Sequence, residues 1–519
     1  MSDETITFLV LGATVMVFIW DRLPVAIVAV GVALSLWATG VLELEQALAG
    51  FGEPTVLFIA SLFVVSEALD ATGVTAWAGQ ELIARTGGSR TRVLVLTMLL
   101  CAALTALITP NGSVAALVPV VVVLAVRLGR EPSQLMMPLA FGAHAGSLLV
   151  LTASPVNVII SEAADDAGVG RIGFFDFALL GIPLLVGTIA IVVLLGERLL
   201  PHRPPRSMPL DFSSHARTLL HQYGLDGADE LLTRTRGAAE VVVPPRSGLV
   251  GETAFPGLVT ESGDLVVLAV QRKGEELAGE TKLAVGDTLL LQGTWSALDE
   301  HLDDPDVLVI DPPELVRRQA VPLGLGATRA LAVLAAMVIL LATGAVPPAV
   351  AGLLAAGALV VSNTLSIEQA YRGISWTTVI LVAGMIPLAT AMTDSGAAER
   401  VANGLVDIVG DAGPRVLLLG LVVLVFVLGQ LISNMATALI VIPIAVSAAD
   451  ELDVSPKPVL VAVAVAAAAA FLTPVATPAN LMVMEPGGYR FGDYWKLGLP
   501  LLVLFGLVAV LLVPLIWQF

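Results

Sequence analysis

Uncharged apolar runs recur along the chain, and many of them reach the ~20 residues that cross a hydrocarbon core of ~30 Å. The first lies in MSDETITFLVLGATVMVFIWDR, which lacks the basic n-region and the small-residue cleavage site of a signal peptide. Of the 519 residues, 57% are hydrophobic and only 13% are charged, which is unusual for a soluble protein of this length. The sequence therefore predicts an α-helical polytopic membrane protein.

Two polar interruptions break the apolar runs of the second half. One is GQLISNMATALIVIP (429–443), and the other is TPAN (477–480). The first holds four polar side chains in its middle, those of Gln430, Ser433, Asn434 and Thr437. Each unsatisfied polar group at this depth costs several kcal/mol, so these groups need partners.

The same interruptions occur earlier in the chain at a constant offset. Asn111, in ALITPNGSVAALVP, stands 323 positions before Asn434, and SPVN (154–157) stands 323 positions before TPAN (477–480). The chain is thus predicted to contain two copies of one membrane fold. Paired helix-breaking interruptions, one in each copy, indicate a substrate site between the repeats of a secondary transporter.

Arginines fix the predicted orientation of the two copies, because positive charge is retained in the cytoplasm. Arginine-rich segments at 85–92 and 127–130 bracket the stretch around Asn111, which is therefore expected to form a re-entrant hairpin with a polar tip. Arg372 and Arg490 fall on the cytoplasmic side only if the second copy is inverted. We expect two inverted-topology repeats, each with about five crossings and one hairpin, and both termini outside.

A polar segment, 202–322, separates the first repeat (1–201) from the second (323–519) and contains no apolar span. EVVVPP, DLVVLAVQRKG and TKLAVGDTLLLQG predict three strands, and TWSALDEHL predicts a short helix opened by Thr294 or Ser296. We therefore expect a small α/β domain, which the flanking arginines place in the cytosol.

The polar interruptions supply groups for both a cation and an anion. An asparagine offers a carbonyl oxygen to a small cation and an NH₂ group to an anion. Helices that begin after Pro155 and Pro478 aim backbone N–H groups and a positive dipole at an anion. Single polar residues and prolines also join or kink membrane helices, but recurrence at one offset favours a shared site.

The Asn-bearing hairpin followed by Ser/Thr-Pro-x-Asn, present in both halves, resembles the divalent anion:sodium symporter family of the ion transporter superfamily. The family's hairpin motif is Ser-Asn-Thr, whereas the tips here are Pro110-Asn111-Gly112 and Ser433-Asn434-Met435. The resemblance implies sodium-coupled symport of a small divalent anion by an elevator-type movement in the lipid bilayer. It also implies a homodimer.

The resemblance further implies which residues form the site. The sodium ligands would be Asn111 with the backbone near Ala153, and Asn434 with the backbone near Ala476. The residues in contact with the anion would be Asn111, Ser154, Pro155, Ser433, Asn434, Thr477 and Pro478, with Ser113 and Thr437 in place of the missing motif hydroxyls.

Sulfate is narrowly favoured over a C4 dicarboxylate, because the hydroxyls of the family motif are only partly kept here and the inserted segment resembles one that accompanies inorganic-anion carriers. The absence of an arginine in either motif, which could clamp a carboxylate, adds weak support. A sodium-coupled dicarboxylate transporter, a ligand-gated anion channel regulated by the inserted domain and a nonconducting sensor are the alternatives. The net charge of −18 argues against nucleic acid as a partner. Because the sequence shows no nucleophile with a base and no metal-ligand cluster, we expect neither an enzyme nor a transition-metal site.

The inserted segment at about 237–302 resembles the carboxy-terminal TrkA module, a ligand-sensing domain. The resemblance implies regulation by an ion or a nucleotide. Only one copy is evident, so a two-copy pocket would need a partner chain. A structural or dimerising insert is the alternative.

Three other features have two interpretations each. His144 could couple protons or be a packed, hydrogen-bonded histidine. Glu67 and Asp70 are acids within a predicted span, which favours function, yet their counterparts in the second half are threonines, which favours a helix bend or a contact with water. A literal Ser-Asn-Thr at 362–364 lacks hairpin spacing and is interpreted as a coincidental copy of the motif.

Overall fold

The computed structural model describes residues 2–20, 22–85, 89–203, 219, 222–223, 231–233, 235–260, 262–277, 279–302, 304–321, 323–409 and 413–519. The protein is 68% helical. Eight helices in these ranges are long and apolar enough to cross a membrane. The prediction of a multi-pass helical membrane protein is confirmed.

The chain divides into two compact units. One consists of Met1–Glu67, Leu82–Pro209 and Ala332–Phe519, and the other of Ala68–Glu81 and Leu210–Leu331. The second unit therefore contains most of the inserted segment together with a short piece of each membrane half, which the sequence did not predict.

Helices of the first half end and begin at the predicted interruptions. They are α1 (Asp3–Trp20), α2 (Val25–Ala38), α3 (Leu44–Leu48), α4 (Pro54–Ala71), α5 (Val74–Arg85), α6 (Arg90–Leu107), α7 (Pro110–Arg127), α8 (Met136–Gly146), α9 (Pro155–Asp166) and α10 (Ala178–Leu199). The predicted hairpin is the pair α6 and α7. The predicted broken span is α8 and α9, joined by an irregular segment that holds a 3-10 turn at Leu151–Ala153.

The inserted segment forms an antiparallel sheet with strand order β4-β3-β6-β1-β7, beside a two-stranded ribbon of β2 and β5. The strands are β1 (Arg236–Val242), β2 (Thr253–Ala254), β3 (Leu265–Arg272), β4 (Glu275–Glu276), β5 (Thr281–Lys282), β6 (Thr288–Thr294) and β7 (Leu308–Val309). Two helices follow, α11 (Trp295–His301) and α12 (Pro313–Ala320). Of the two predicted caps, Thr294 is the one that accepts a hydrogen bond, from the amide of Ala297.

The helices of the second half repeat the order of the first. They are α13 (Ala327–Thr343), α14 (Pro348–Val361), α15 (Ile367–Gly373), α16 (Trp376–Asp394), α17 (Ala397–Val409), α18 (Pro414–Leu431), α19 (Asn434–Glu451), α20 (Pro456–Ala467), α21 (Pro478–Met484), α22 (Tyr494–Leu507) and α23 (Val513–Ile516). A π-helical turn, Val508–Leu512, joins the last two. Helices α2 and α14 both have 14 residues, and their starts lie 323 positions apart.

Reciprocal contacts join the two halves. Gly384 of α16 packs against Ala29 of α2, and Gly352 of α14 packs against Ser61 of α4. Gly384 lies 323 positions after Ser61, and Gly352 lies 323 positions after Ala29, so the two contacts join matched positions with the halves exchanged. This exchange is what a two-fold relation between the halves produces. The inverted orientation of the repeats relative to a membrane stays a prediction.

Asp70 lies in the last turn of α4, within the second unit, and does not lie in the middle of a span. Its carboxylate is 2.8 Å from a guanidinium nitrogen of Arg318 and accepts a hydrogen bond from Thr75. The amide of Gly324 donates to the Thr72 carbonyl at 2.8 Å. Asp70 therefore has a charged partner, Arg318 of α12.

An ion pair stabilises the sheet. Asp287 is fully buried, and its carboxylate accepts two hydrogen bonds from Arg272 at 2.7 Å and one from the amide of Ala284. The bonds from Arg272 lower the pKa of Asp287. The resulting stability is therefore present above the unfolded value, 3.8, and is lost as the pH falls through the lower folded pKa.

Replacing Asp287 with asparagine should therefore speed amide hydrogen exchange in β3 and β6 several-fold at neutral pH. The difference from the native protein should shrink as the pH falls through the lowered pKa of Asp287, because the native carboxylate is then protonated as well. Asp264→Asn is the control, because its carboxylate is 57% exposed. A difference between Asp287→Asn and the native protein that persists unchanged at low pH would contradict the ionic origin of this stability.

A polar cavity at the starts of four helices

Four helices begin where the sequence predicts interruptions, and a hydroxyl caps each of them. Thr109 accepts from the amide of Gly112 at the start of α7, and Ser433 accepts from Ala436 at the start of α19, both at 3.2 Å. Ser154 and Thr477 cap α9 and α21 in the same way, before Pro155 and Pro478. A cap satisfies one of the unpaired amides of a first turn, and the dipole leaves each start positive.

These starts meet at one cavity of about 80 Å³. Asn111 and Asn434 both line it, as do Ser154 with Pro155 and Thr477 with Pro478. Among the described residues that line it, none is Asp, Glu, Lys or Arg. The structure thus brings together both hairpin tips and both broken helices around an uncharged polar space.

The last residues of the two Ser/Thr-Pro-x-Asn motifs, Asn157 and Asn480, make equivalent hydrogen bonds to the backbone of the irregular segments before them. Each donates its amide hydrogens to two backbone carbonyls, Asn157 to Ser147 and Val150 and Asn480 to Ala470 and Thr473. The acceptors in the second half lie 323 positions after those in the first. The fourth residue of each Ser/Thr-Pro-x-Asn motif therefore satisfies backbone groups that the break leaves without helical partners.

Gln430 supports the break in the second half only. Its side-chain nitrogen donates to the carbonyl of Ala469 at 3.1 Å, and its oxygen accepts from the amide of Leu472 at 2.9 Å. These are the partners that the part-buried amide of Gln430 needs. Gln430 thus braces the chain that leads to Thr477 and does not line the cavity.

His144 connects the halves at the cavity. Its Nε2 lies 3.1 Å from Oδ1 of Asn480 and 3.3 Å from the hydroxyl of Thr477, and its ring packs edge-on against Phe471. The side chain is 2% exposed and lines the cavity. Of the two interpretations from the sequence, the structure agrees with the packed, hydrogen-bonded histidine. This histidine also lines the cavity.

Some predicted site residues lie beside the cavity and do not line it. Ser113 is bonded to the hydroxyl of Thr105 and the carbonyl of Pro110, and Thr437 donates to the carbonyl of Ser433. Ser433 serves as the cap of α19. Ala153 and Ala476 are buried, at the ends of the segments that precede Ser154 and Thr477. The binding roles of these residues stay predictions.

The cavity also includes residues that the sequence did not single out. Phe63 of α4 and Thr378 of α16 line it, together with Ser147. Phe63 and Thr378 lie within apolar runs without a motif, so no local signal distinguishes them. Ser147 precedes the SPVN motif. The repeat predicted that this motif belongs to the site, but it did not single out Ser147.

The literal Ser-Asn-Thr motif lies elsewhere. Asn363 follows the last turn of α14 with a φ of 52°, the left-handed conformation that Asn and Gly adopt after helices. The motif's side chains bond locally, Ser362 to Thr364 at 2.9 Å. Asn363 is not among the described residues that line the cavity, which agrees with its interpretation as a coincidental copy.

Two matched halves whose broken helices meet at an uncharged polar cavity define a secondary transporter. Comparison with known proteins identifies the transporter family. The chain belongs to the citrate transporter family (CitMHS), whose sequence model matches residues 15–451 and 338–519. This family lies within the ion transporter superfamily that the motifs predicted.

Several known proteins are similar to this chain. An uncharacterized transporter of Escherichia coli K12, YfbS, is 30% identical over 100% of both chains. Sodium/sulfate cotransporter 1 of Chlamydomonas reinhardtii is 26% identical over 53% of this chain and 32% of its own length. The crystal structure of the Alcanivorax borkumensis YdaH transporter matches 97% of this chain and 99% of its own, with a TM-score of 0.51 and 13% identity, and so shows the fold alone.

Proposed function

We propose that this transporter couples sodium to the uptake of a small divalent anion, with sulfate as the favoured substrate. The observation that carries the proposal is the shared cavity, in which Asn111 and Asn434 face the starts of α9 and α21. Asparagine oxygens suit a hard cation, and helix starts suit an anion. Together they allow sodium and the anion to bind as neighbours.

The volume of the cavity supports a small substrate. Pockets that enclose drug-sized ligands measure about 300–1,000 Å³, whereas this one measures about 80 Å³. A tetrahedral oxyanion of five heavy atoms suits that space better than citrate with its three carboxylates. The absence of arginine among the described lining residues also leaves a carboxylate without a bidentate partner.

Charge supports cation coupling. An unpaired divalent anion in a path of low dielectric is costly, and the described lining residues carry no fixed positive charge. Helix starts contribute only about half a charge each. Four such starts add up to about two partial positive charges that are fixed in the protein, and a bound sodium ion adds a full positive charge that moves with the anion.

The names of similar proteins agree with this proposal and also supply its alternative. The algal relative is named a sodium/sulfate cotransporter, whereas the matched family is named for citrate. A sodium-coupled dicarboxylate transporter is the second candidate. A channel gated by the inserted domain would pass current without stoichiometric sodium flux.

The proposal includes the predicted movement and orientation. The repeats are inverted, the termini lie outside and the inserted domain lies in the cytosol. A rigid part that carries both hairpins and both broken helices moves across the membrane after sodium and the anion bind. The inserted domain, with a TrkA-like module, regulates this movement in a homodimer.

Purified protein in proteoliposomes should take up radiolabelled sulfate when a sodium gradient is imposed, and little without one. Unlabelled sulfate should compete fully, whereas succinate at equal concentration should compete at least about tenfold less well, because its carboxylates exceed the small cavity. Succinate uptake that exceeds sulfate uptake would favour the dicarboxylate alternative. Uptake that is indifferent to sodium would contradict the coupling.

A further inference from the structure

The two halves of the site differ at one atom. The side chains of Asn157 and Asn480 are matched in sequence and in the carbonyls to which they donate. Because both hydrogens of each amide are used in these bonds, each Oδ1 is free to accept. The two Oδ1 atoms differ in the groups that surround them.

In the second half the acceptor is already used. Oδ1 of Asn480 lies 3.1 Å from Nε2 of His144, and the orientation of the amide requires that this nitrogen carries the hydrogen. Asn480 is 0% exposed and is not among the described residues that line the cavity. A cation at this oxygen would meet the positive end of the N–H bond of His144.

In the first half the acceptor is open. Asn157 is only 1% exposed and yet lines the cavity, and no described residue donates a hydrogen bond to its Oδ1. The position that matches His144 is Ala467, which has no donor to offer. This amide oxygen therefore opens to the cavity without a donor among the described residues, and only a cation or a water molecule in the cavity can satisfy it.

We propose that Asn157 is a sodium ligand and that His144 takes the place of a second sodium ion in the other half. The first-half site also has Asn111 and the hydroxyl of Ser154 on the same cavity, so oxygen donors of the kind that hard cations prefer are present. The inference rests on the proposed sodium coupling and specifies it: one sodium ion binds per chain.

The direct test counts sodium ions. Equilibrium binding of ²²Na⁺ to the purified full-length protein in the presence of sulfate should give one ion per chain. His144→Ala, which frees Oδ1 of Asn480, should give two ions and a sodium dependence of uptake with a Hill coefficient above one. His144→Gln retains an N–H donor toward Oδ1 of Asn480 and should still bind one ion per chain. Two ions bound to the native protein, or one ion bound to His144→Ala, would overturn the inference.

A matched pair of variants tests the ligand itself. Asn157→Ala and Asn480→Ala each lose two hydrogen bonds to equivalent carbonyls, but only the first loses an oxygen open to the cavity. The sodium concentration that gives half-maximal uptake should rise at least about tenfold more in Asn157→Ala than in Asn480→Ala. Equal increases would show that both asparagines act only on the backbone.

These outcomes separate the inference from the proposed function. Sodium-driven uptake with two ions bound to the native protein would overturn the inference and leave the proposed function standing. Sulfate uptake without any sodium dependence would overturn both.

Discussion

Asn434→Ala should lower sodium-driven sulfate uptake by about 10- to 100-fold at subsaturating sulfate. Asn434 is the first residue of α19 and lines the cavity. Loss of one hydrogen bond to a charged group costs about 1.5–3 kcal/mol, and each 1.4 kcal/mol is a factor of ten. The substitution removes a side-chain amide that is proposed to contact the anion. Initial rates of sulfate uptake into proteoliposomes measure the effect.

The chain provides a control for this variant in its second Ser-Asn-Thr motif. Asn363→Gly changes an asparagine of the same motif type outside the cavity, and glycine adopts the φ of 52° without strain. This variant should transport sulfate like the native protein. Equal loss of uptake in both variants, or native uptake by Asn434→Ala with normal expression, would contradict the site.

The interruptions could be predicted from the sequence because their signals are local. Proline fixes φ and lacks an N–H, and a preceding Ser or Thr caps the first turn, so Ser154-Pro155 and Thr477-Pro478 predict helix starts. The structure begins α9 and α21 at these prolines. The constant offset then indicated that both starts belong to one site, and the cavity contains both.

The partners of polar side chains could not be predicted, because they depend on which helices meet. His144 and Asn480 lie 336 positions apart in the chain, and Asp70 and Arg318 lie 248 apart. The motif predicts Ser113 as a site residue but gives no sign of its partner, the hydroxyl of Thr105 in α6. Short strands such as β4 and β7 have two residues each, too few for an alternating pattern.

The exchange of contacts between the halves also has no local signal, although small residues allow it. Ala29 and Gly352 are matched positions, as are Ser61 and Gly384, and all four have small side chains. Small residues let helix backbones approach closely in a membrane, where no hydrophobic effect drives helices together. Helices α10 and α22 show the same relation. Here the repeat is shifted, since FFDFALLGIP (174–183) matches FGDYWKLGLP (491–500) at an offset of 317, and Gly187 packs against its counterpart at this offset, Leu504.

Gly384→Leu should therefore prevent the two halves from assembling. A Cβ atom at this position would lie 2.7 Å from the backbone carbon and 2.8 Å from the backbone oxygen of Ala29, neither of which can rotate away. Overpacking of this kind costs about 1–3 kcal/mol or more, and here the clash is with a helix backbone. The yield of monodisperse protein in detergent and its melting temperature should both fall sharply.

Gly357→Leu is the matched control, because a Cβ atom there has nothing within 4 Å and the first-half counterpart is already a leucine, Leu34. This variant should be recovered at the native yield with native uptake. If Gly384→Leu were recovered equally well and transported sulfate, then α16 would not cross α2 at this distance. The reciprocal contacts that relate the two halves, and with them the convergence of four helix starts on one cavity, would have to be abandoned.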